Sequence, residues 1–376
     1  MIPAKVNTNE QTEVNDMWLT GIAAYPGLGD SDEMMNRYLR TARNLGYTIL
    51  FTSLHIPEAK AAAADYLAFI SSAAELGYAV TADISPRTFD MLGSSAAALH
   101  TLQAAGLSAL RVDYGFSAAE VARITITGGL TVELNASTVT PEWLDRLRQA
   151  GADFSRLQAC HNYYPRPETG LSYTVFVERS QLLRHSGIPV FAFIPSLNNP
   201  RGPIHAGLPT LERHRATGPV QAAKEFIASR LIDGILFGDP LADEKELADV
   251  ADLDPHCLEL LVQPAKELTP AEQSLLYAVH TNRLDAAEQV IRSEEARSLC
   301  AAPILPGGTG ERPAGAVTID NQLYGRYMGE LQIVCQPLPP DDRVNVVAHI
   351  LPADMFLLRH IGPGTVFRLK EAVHES

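Results

Sequence analysis

The stretch Ala109-Leu-Arg-Val-Asp-Tyr114, followed after one short helical segment by Thr131-Val-Glu-Leu-Asn-Ala136, decides the reading of this chain. Each run has the length and continuous apolar character of a strand buried on both faces. Each also carries polar side chains toward the same, C-terminal, end. Working outward, six more runs share this character: Ile22–Tyr25, Ile49–Ser53, Ala79–Ile84, Leu157–Asn162, Val190–Ile194 and Gly234–Gly238. The eight starts are separated by 27, 30, 30, 22, 26, 33 and 44 residues, the period of a βα unit. Eight such units predict a (β/α)8 TIM barrel. No GxGxxG follows any run, so a dinucleotide-binding doubly wound sheet has no support.

Helical segments fill the gaps. Ser31 caps a predicted helix over Asp32–Asn44, with Met34, Met35, Tyr38, Leu39 and Ala42 at helical spacing. Ala59–Leu76 is alanine-rich and stops at Gly77. Thr140, Pro141 and Glu142 form a helix start, and Pro219–Ser229 precedes the eighth strand. The 22-residue gap leaves room for one short helix near Ser117–Arg123. The 44-residue gap carries Asn198–Arg215, a long loop rich in Pro, Gly, Arg and His, and long loops after barrel strands commonly carry function. Beyond Leu253 the pattern changes. Pro264–His280 and Leu284–Glu295 read as helices, and Ala316–Ile319, Leu331–Gln336, Val344–Ile350 and Thr365–Leu369 read as short strands. The expected division is a polar tail over 1–17, a barrel over 18–255 and a smaller, mostly β domain over 256–376.

Composition narrows the function. The chain has 376 residues, 46% hydrophobic and 20% charged, and a net charge of −14. So acidic a chain has no long-range attraction for nucleic acid or an anionic membrane. An anionic substrate would need a local cluster of Arg or His. Cys160, Cys257, Cys300 and Cys335 are scattered, with no CxxC pair, and read as free thiols. Neither a signal-peptide pattern nor a membrane-length apolar run is present, so a cytoplasmic protein is expected.

The strand ends collect the candidate chemistry: Tyr25; His55 and Glu58; Asp83; Arg111, Asp113 and Tyr114; Glu133 and Asn135; His161, Asn162 and Tyr163; Asp239. A charge at the end of a buried run costs several kcal/mol unless paired. Seven strands of eight doing this at one end point to an active-site mouth. Side chains alternate along a strand, so Arg111 and Asp113 share a face, as do Glu133 and Asn135. Asp83 and Asp113 end adjacent strands, which brings their carboxylates into the separation range of a glycosidase pair. Glu58, Glu133 and Asp239 are further candidates. Arg166, Arg201 and Arg215 lie on loops after the sixth and seventh strands, and suit a phosphate or carboxylate. His55, His161, His205 and His214 sit on separate loops without HExxH, so no metal or other cofactor is assigned. GxSxG and GxxxxGK[ST] are absent, and no Lys ends a strand.

Longer motifs carry a resemblance. Gly21-Ile-Ala-Ala-Tyr25-Pro26, Phe51-Thr-Ser-Leu-His55-Ile-Pro-Glu58, Asp83-Ile-Ser-Pro86 and Leu110-Arg-Val-Asp113-Tyr-Gly-Phe116 come first. Glu133-Leu-Asn-Ala-Ser-Thr138, Ala159-Cys-His161-Asn-Tyr-Tyr-Pro-Arg166-Pro, Gly207-Leu-Pro-Thr-Leu-Glu212-Arg-His-Arg215 and Gly238-Asp239 follow. Together they resemble the 6-phospho-N-acetylmuramidases, a bacterial glycoside hydrolase family. Ile319-Asp320-Asn321 and Tyr324-Gly-Arg-Tyr327-Met-Gly-Glu330-Leu are similar to that family's cyclophilin-like second domain. One departure is Ala23-Ala24, where the family often has a Ser.

The resemblance implies a cytoplasmic enzyme of cell-wall recycling. It would cleave 6-phospho-N-acetylmuramyl-N-acetylglucosamine to N-acetylmuramic acid 6-phosphate and N-acetylglucosamine. Asp83 and Asp113 are the expected catalytic pair, with Glu58, Glu133 and Asp239 in reserve. Tyr25, His55, Arg111, Asn135, His161, Asn162 and Tyr163 would orient the sugar, and Arg166, Arg201 and Arg215 would hold the anionic groups. The Tyr324–Glu330 motif would reach the ligand, pack within its domain or form a homodimer contact. The competing readings are a metal-dependent barrel enzyme of sugar phosphates and a non-catalytic cell-wall sugar-binding protein.

Overall fold

Valine, isoleucine, leucine and phenylalanine in short uninterrupted runs favour strands covered on both faces, and the covering elements here are helices. The computed structural model describes residues 18–54, 62–84, 95–112, 115–127 and 129–372. Eight parallel strands close into a barrel in sequence order: β1 (Leu19–Ala23), β2 (Ile49–Ser53), β3 (Ala79–Ile84), β4 (Leu107–Val112), β5 (Thr131–Asn135), β6 (Leu157–Cys160), β7 (Val190–Ile194) and β8 (Gly234–Pro240). All eight expected strands are present, with ends shifted by a few residues. β1 pairs with both β2 and β8, which closes the ring. Closure is tight at Gly234, where a Cβ would lie 2.3 Å from the Leu19 carbonyl oxygen. Only glycine fits that approach.

Helices cover the outer wall. Asp32–Asn44 starts at Ser31, whose side chain accepts from the Met34 N–H. Met35, Tyr38, Leu39 and Ala42 face the barrel as the spacing predicts, while Met34 is exposed. Thr140 caps Pro141–Gln149 in the same way. The described part of the alanine-rich helix runs Ala63–Glu75, and the short one expected near Ser117 extends over Ala118–Thr127. Ser95–Ala104 is a helix that periodicity did not mark. Tyr173–His185, Pro219–Ser229 and Glu244–Ala251 complete the cover. The barrel interior is aromatic toward its mouth: Phe51 stacks edge-on against Phe193 at 5.2 Å and against Tyr25 at 6.4 Å.

The remaining chain forms a seven-stranded mixed sheet of β9 (Leu258–Pro264), β10 (Val279–Thr281), β11 (Val290–Arg292), β12 (Ala316–Asp320), β13 (Leu331–Val334), β14 (Val344–Ile350) and β15 (Val366–Glu371). Their spatial order is β10-β15-β9-β14-β12-β13-β11. Two helical expectations are corrected here. Pro264–His280 holds the end of β9, a helix only over Pro270–Leu276, and the start of β10. Leu284–Glu295 contains β11 instead of a helix. Its local helix propensity yields to pairing with β13, and Leu284, 77% exposed, supplies no buried apolar face for a helix.

The sheet is fastened to the barrel through the helix Pro219–Ser229, seven of whose residues are buried. Lys224 and Asp354 form a buried ion pair at 3.1 Å, and Asp354 also accepts from the Leu261 N–H at 2.8 Å. Glu225 accepts from five donors. Arg213 Nε and His214 Nε2 reach one carboxylate oxygen at 2.7 and 2.8 Å, and Arg359, His360 and a second Arg213 nitrogen reach the other. Burial pushes the Glu225 carboxyl up, but the bonds from His214 and His360 and the neighbouring positive charges outweigh it and hold it well below the usual range. Among the described residues, no helix is long and apolar enough to cross a membrane.

Candidate active site

Strand register assembles the floor of the mouth. Ser53, Asp83, Arg111, Glu133 and Gln158 lie side by side across β2 to β6. Arg111 is buried and donates to Glu133 at 3.0 Å, to the Cys160 carbonyl at 2.9 Å and to the Asn162 side-chain oxygen. Glu133 takes a second bond from Gln158 at 2.7 Å. The Arg111–Glu133 pair is therefore neutral overall, buried and locked in orientation. Beside it, Asp83 lines a cavity of about 160 Å³ with Phe51, Arg111, Asn162, Tyr163 and Phe193. A half-buried carboxyl among aromatic rings, one strand from a fixed guanidinium, has the surroundings of an acid–base group.

The wall above β7, β8 and β1 is built around Arg201. Its guanidinium lies over the Tyr25 ring at 4.8 Å and the Tyr163 ring at 5.2 Å, and donates to the Tyr163 hydroxyl at 3.3 Å. Tyr25 is itself fixed by donating to the Gly238 carbonyl at 3.2 Å. Among the described residues Arg201 has no carboxylate partner within ion-pair distance. Two aromatic faces thus hold a cation on which Asp239 acts only from behind and which no carboxylate contacts among the described residues, an arrangement suited to an incoming anion. Next to it a cavity of about 640 Å³ is lined by Leu28, Asp30, Asn199, Arg201, His205 and Pro240, among others.

Asp239 organises this wall from behind. It is fully buried and accepts the backbone N–H groups of Arg201 at 2.8 Å, Ser196 at 2.9 Å and Leu208 at 3.0 Å. Burial raises its pKa, and these three bonds oppose the rise. Asp239 therefore acts as a latch for the loop 195–208. Gly238 permits the same approach, since a Cβ there would stand 2.6 Å from the Leu208 carbonyl oxygen. Ser196 is further held by Glu246, at 2.6 Å.

The other expected site residues separate into groups. His161 is fully buried and turned out of the barrel, bonded to Ser137 at 3.3 Å and to Ser180 at 3.0 Å, with its ring on Phe176. Burial, aided by the Arg111 charge, pushes it down to about 3, so it is a neutral wall residue. Asn135 accepts from the Ser137 N–H at 3.0 Å and is buried at the end of β5. Arg215 spends its donors on Glu212 and on the carbonyls of Tyr164, Arg166, Ala206 and Gly207. Arg166 is exposed on the rim. His55, Glu58, Asp113 and Tyr114 lie outside the described residues.

Several residues of the mouth were not singled out from sequence. Phe51 and Phe193 read as ordinary core positions. Glu212 holds the sixth-strand loop by accepting the N–H groups of Glu168 and Gly170, and the Arg215 guanidinium does most to keep its carboxyl down at about 2. The backbone marks this wall: of four described non-glycine residues with positive φ, Glu168, His205 and Leu241 lie on mouth loops with φ of 72°, 55° and 54°, while Arg230 ends the helix Pro219–Ser229. Such conformations cost of order 1–3 kcal/mol each and gather at functional sites. In the second sheet, Tyr324 and Tyr327 pack edge-on at 6.0 Å, with Arg343 over the first and Arg326 over the second. Among the described residues, the hydrogen bonds of that turn stay within its own sheet.

The fold and the mouth together define a (β/α)8 barrel with a concave polar site at the carboxyl ends of its strands, extended by a separate β sheet. The chain belongs to the 6-phospho-N-acetylmuramidase family: residues 20–252 match its N-terminal region and residues 258–370 its C-terminal region. A crystal structure titled as an uncharacterized B. cereus protein is similar over 94% of this chain and 100% of its own, at 32% identity and a TM-score of 0.86. A conserved Enterococcus faecalis protein of unknown function is similar over 94% of this chain and 96% of its own, at 37% identity and a TM-score of 0.70. A search of curated proteins found no match.

Proposed function

We propose that this protein hydrolyses the glycosidic bond of 6-phospho-N-acetylmuramyl-N-acetylglucosamine, releasing N-acetylmuramic acid 6-phosphate and N-acetylglucosamine in cytoplasmic cell-wall recycling. The family membership names the substrate class. The observation that carries the reading to this mouth is Arg201, a cation held between two tyrosine rings without a carboxylate partner among the described residues. In a chain of net charge −14, such a group is a local exception suited to one small anion.

Asp83 and Asp113 are the proposed catalytic pair, with Glu58 next in line. One carboxylic acid protonates the leaving oxygen, and the other carboxylate attacks the anomeric carbon or activates water. Arg111 stays charged beside Asp83, and Phe51, Tyr163 and Phe193 exclude water and offer apolar faces to the sugar ring. Tyr163 and Asn162 orient hydroxyl groups, Arg201 takes an anionic substituent, and Arg166 on the rim meets the approaching substrate. Glu133 and Asp239 serve as positioning groups, through Arg111 and the Arg201 loop respectively.

The test offers the purified protein the phosphorylated disaccharide and its unphosphorylated form. Cleavage confined to the phosphorylated compound is expected, and equal cleavage of both, or of neither, refutes the reading. Asp83→Asn is expected to lower kcat by about 10²- to 10⁴-fold while product binding persists. Undiminished turnover in that variant removes Asp83 from the mechanism.

A further inference from the structure

The loop that supplies Arg201 also carries His205, a residue the proposed chemistry has not used. Three features fix this imidazole. The His205 N–H donates to the Arg201 carbonyl at 3.2 Å, so a single turn sets both side chains on one stretch of the rim. Its backbone is left-handed, with φ of 55°, a conformation a non-glycine residue keeps only when its surroundings enforce it. Its Nδ1 lies 2.9 Å from the Pro200 carbonyl oxygen, which can only accept, so Nδ1 carries the hydrogen. Nε2 has no hydrogen-bond partner among the described residues. The ring folds back over Gly202, where a Cβ would come within 3.2 Å of Nε2.

Arg201 and His205 line the same cavity of about 640 Å³, which has room for a sugar ring as well as its substituent. We propose that His205 is a specificity-determining residue, which together with Arg201 holds the phosphate of a phosphorylated sugar in this cavity. The assignment rests on the function proposed above and names which anionic group the cavity takes. A planar carboxylate is satisfied by one guanidinium edge. A phosphate monoester presents three oxygens in a tetrahedral array: the guanidinium donates to two of them, and Nε2, with Nδ1–H committed to Pro200, shares the proton of the third, which a phosphate with its second ionisation near neutral pH supplies and an ionised carboxylate does not. Asp30, on the loop after β1, also lines this cavity, and a carboxylate is suited to accept from the sugar's hydroxyl groups.

The deciding variant is His205→Asn, because asparagine tolerates the left-handed backbone and leaves the loop in place. Calorimetric titration uses N-acetylmuramic acid 6-phosphate and N-acetylmuramic acid on the full chain, alongside kinetics on the phosphorylated disaccharide. The variant is expected to bind the 6-phosphate about tenfold or more weakly, and to bind the unphosphorylated sugar as the parent does. KM rises by a similar factor, with kcat within about twofold. Equal weakening of both sugars, or no weakening of either, overturns the assignment. If the parent prefers the 6-phosphate through His205 but cleaves no disaccharide, the site stands and the hydrolase reading falls. If the parent cleaves the phosphorylated disaccharide and His205→Asn does so with unchanged KM, the hydrolase reading stands and this site falls.

Discussion

Two buried carboxyls illustrate how differently one chemical group is used. Asp239 accepts three backbone N–H groups of the loop that presents Arg201. In Asp239→Asn, an amide N–H₂ would face a donor, leaving at least one buried N–H unsatisfied at about 1–3 kcal/mol. KM for the phosphorylated disaccharide should rise, and amide hydrogen exchange over residues 196–208 should quicken. A loop that exchanges as in the parent would remove the latch role. Asp320, at the end of β12, is the opposite case: among the described residues its carboxyl accepts no hydrogen bond. Burial, helped by the charges of Glu330 and Asp341, raises it to about 7. A carboxyl raised above its unfolded value contributes stability that is complete below about pH 4 and lost as pH climbs through about 7. Asp320→Asn should therefore stabilise the protein at pH 8 by on the order of 2–4 kcal/mol and change it little at pH 4. Equal urea midpoints at pH 8 would remove this account.

The helix Pro219–Ser229 works as an element with two dry faces. On one it packs on the barrel wall, and on the other it meets β9 and the turn Met355–His360. Glu225→Gln would keep the shape but set two guanidinium groups around a neutral amide. With Arg359 half exposed, the loss should be about 2–4 kcal/mol, somewhat less than for a fully buried pair. Urea unfolding is expected to shift to lower midpoint by a corresponding amount, and an unshifted midpoint would show that the hub contributes no stability.

Elements of this kind differed in how far they could be read from sequence. The barrel strands were legible because a strand covered on both faces must be apolar throughout, and residues such as Val190 to Ile194 allow little else. The segment from Leu284 to Glu295 was misread because its pairing partner, β13, lies some 40 residues away, outside any local window. Site residues were harder still. Asp83 and Asp239 look alike as acidic residues near strand ends, yet one lines a cavity and the other laces a loop. His161 follows Cys160 by one residue, and that single step turns it from the barrel interior to the helix layer. Arg215 and Arg201 share a loop, but only the fold reveals that Glu212 and four carbonyls absorb the first.

At the scale of the molecule, a net charge of −14 opposes the approach of an anionic sugar over long distances. Capture of a phosphosugar then falls to short-range groups at the mouth, where Arg201 is pre-set by two aromatic rings. The two largest hydrophobic cores are separate, one around the barrel and one within the sheet. The charges between them are shared: Lys224 and Glu225 belong to the barrel by sequence and find partners in Asp354, Arg359 and His360 of the sheet. A chain ending near residue 255 would leave an ammonium and a carboxylate on an uncovered apolar helix. Such a truncation would be a folding lesion, unsuited to asking whether the sheet touches ligand. Expression and engineering are then expected to succeed only with the two halves as one piece.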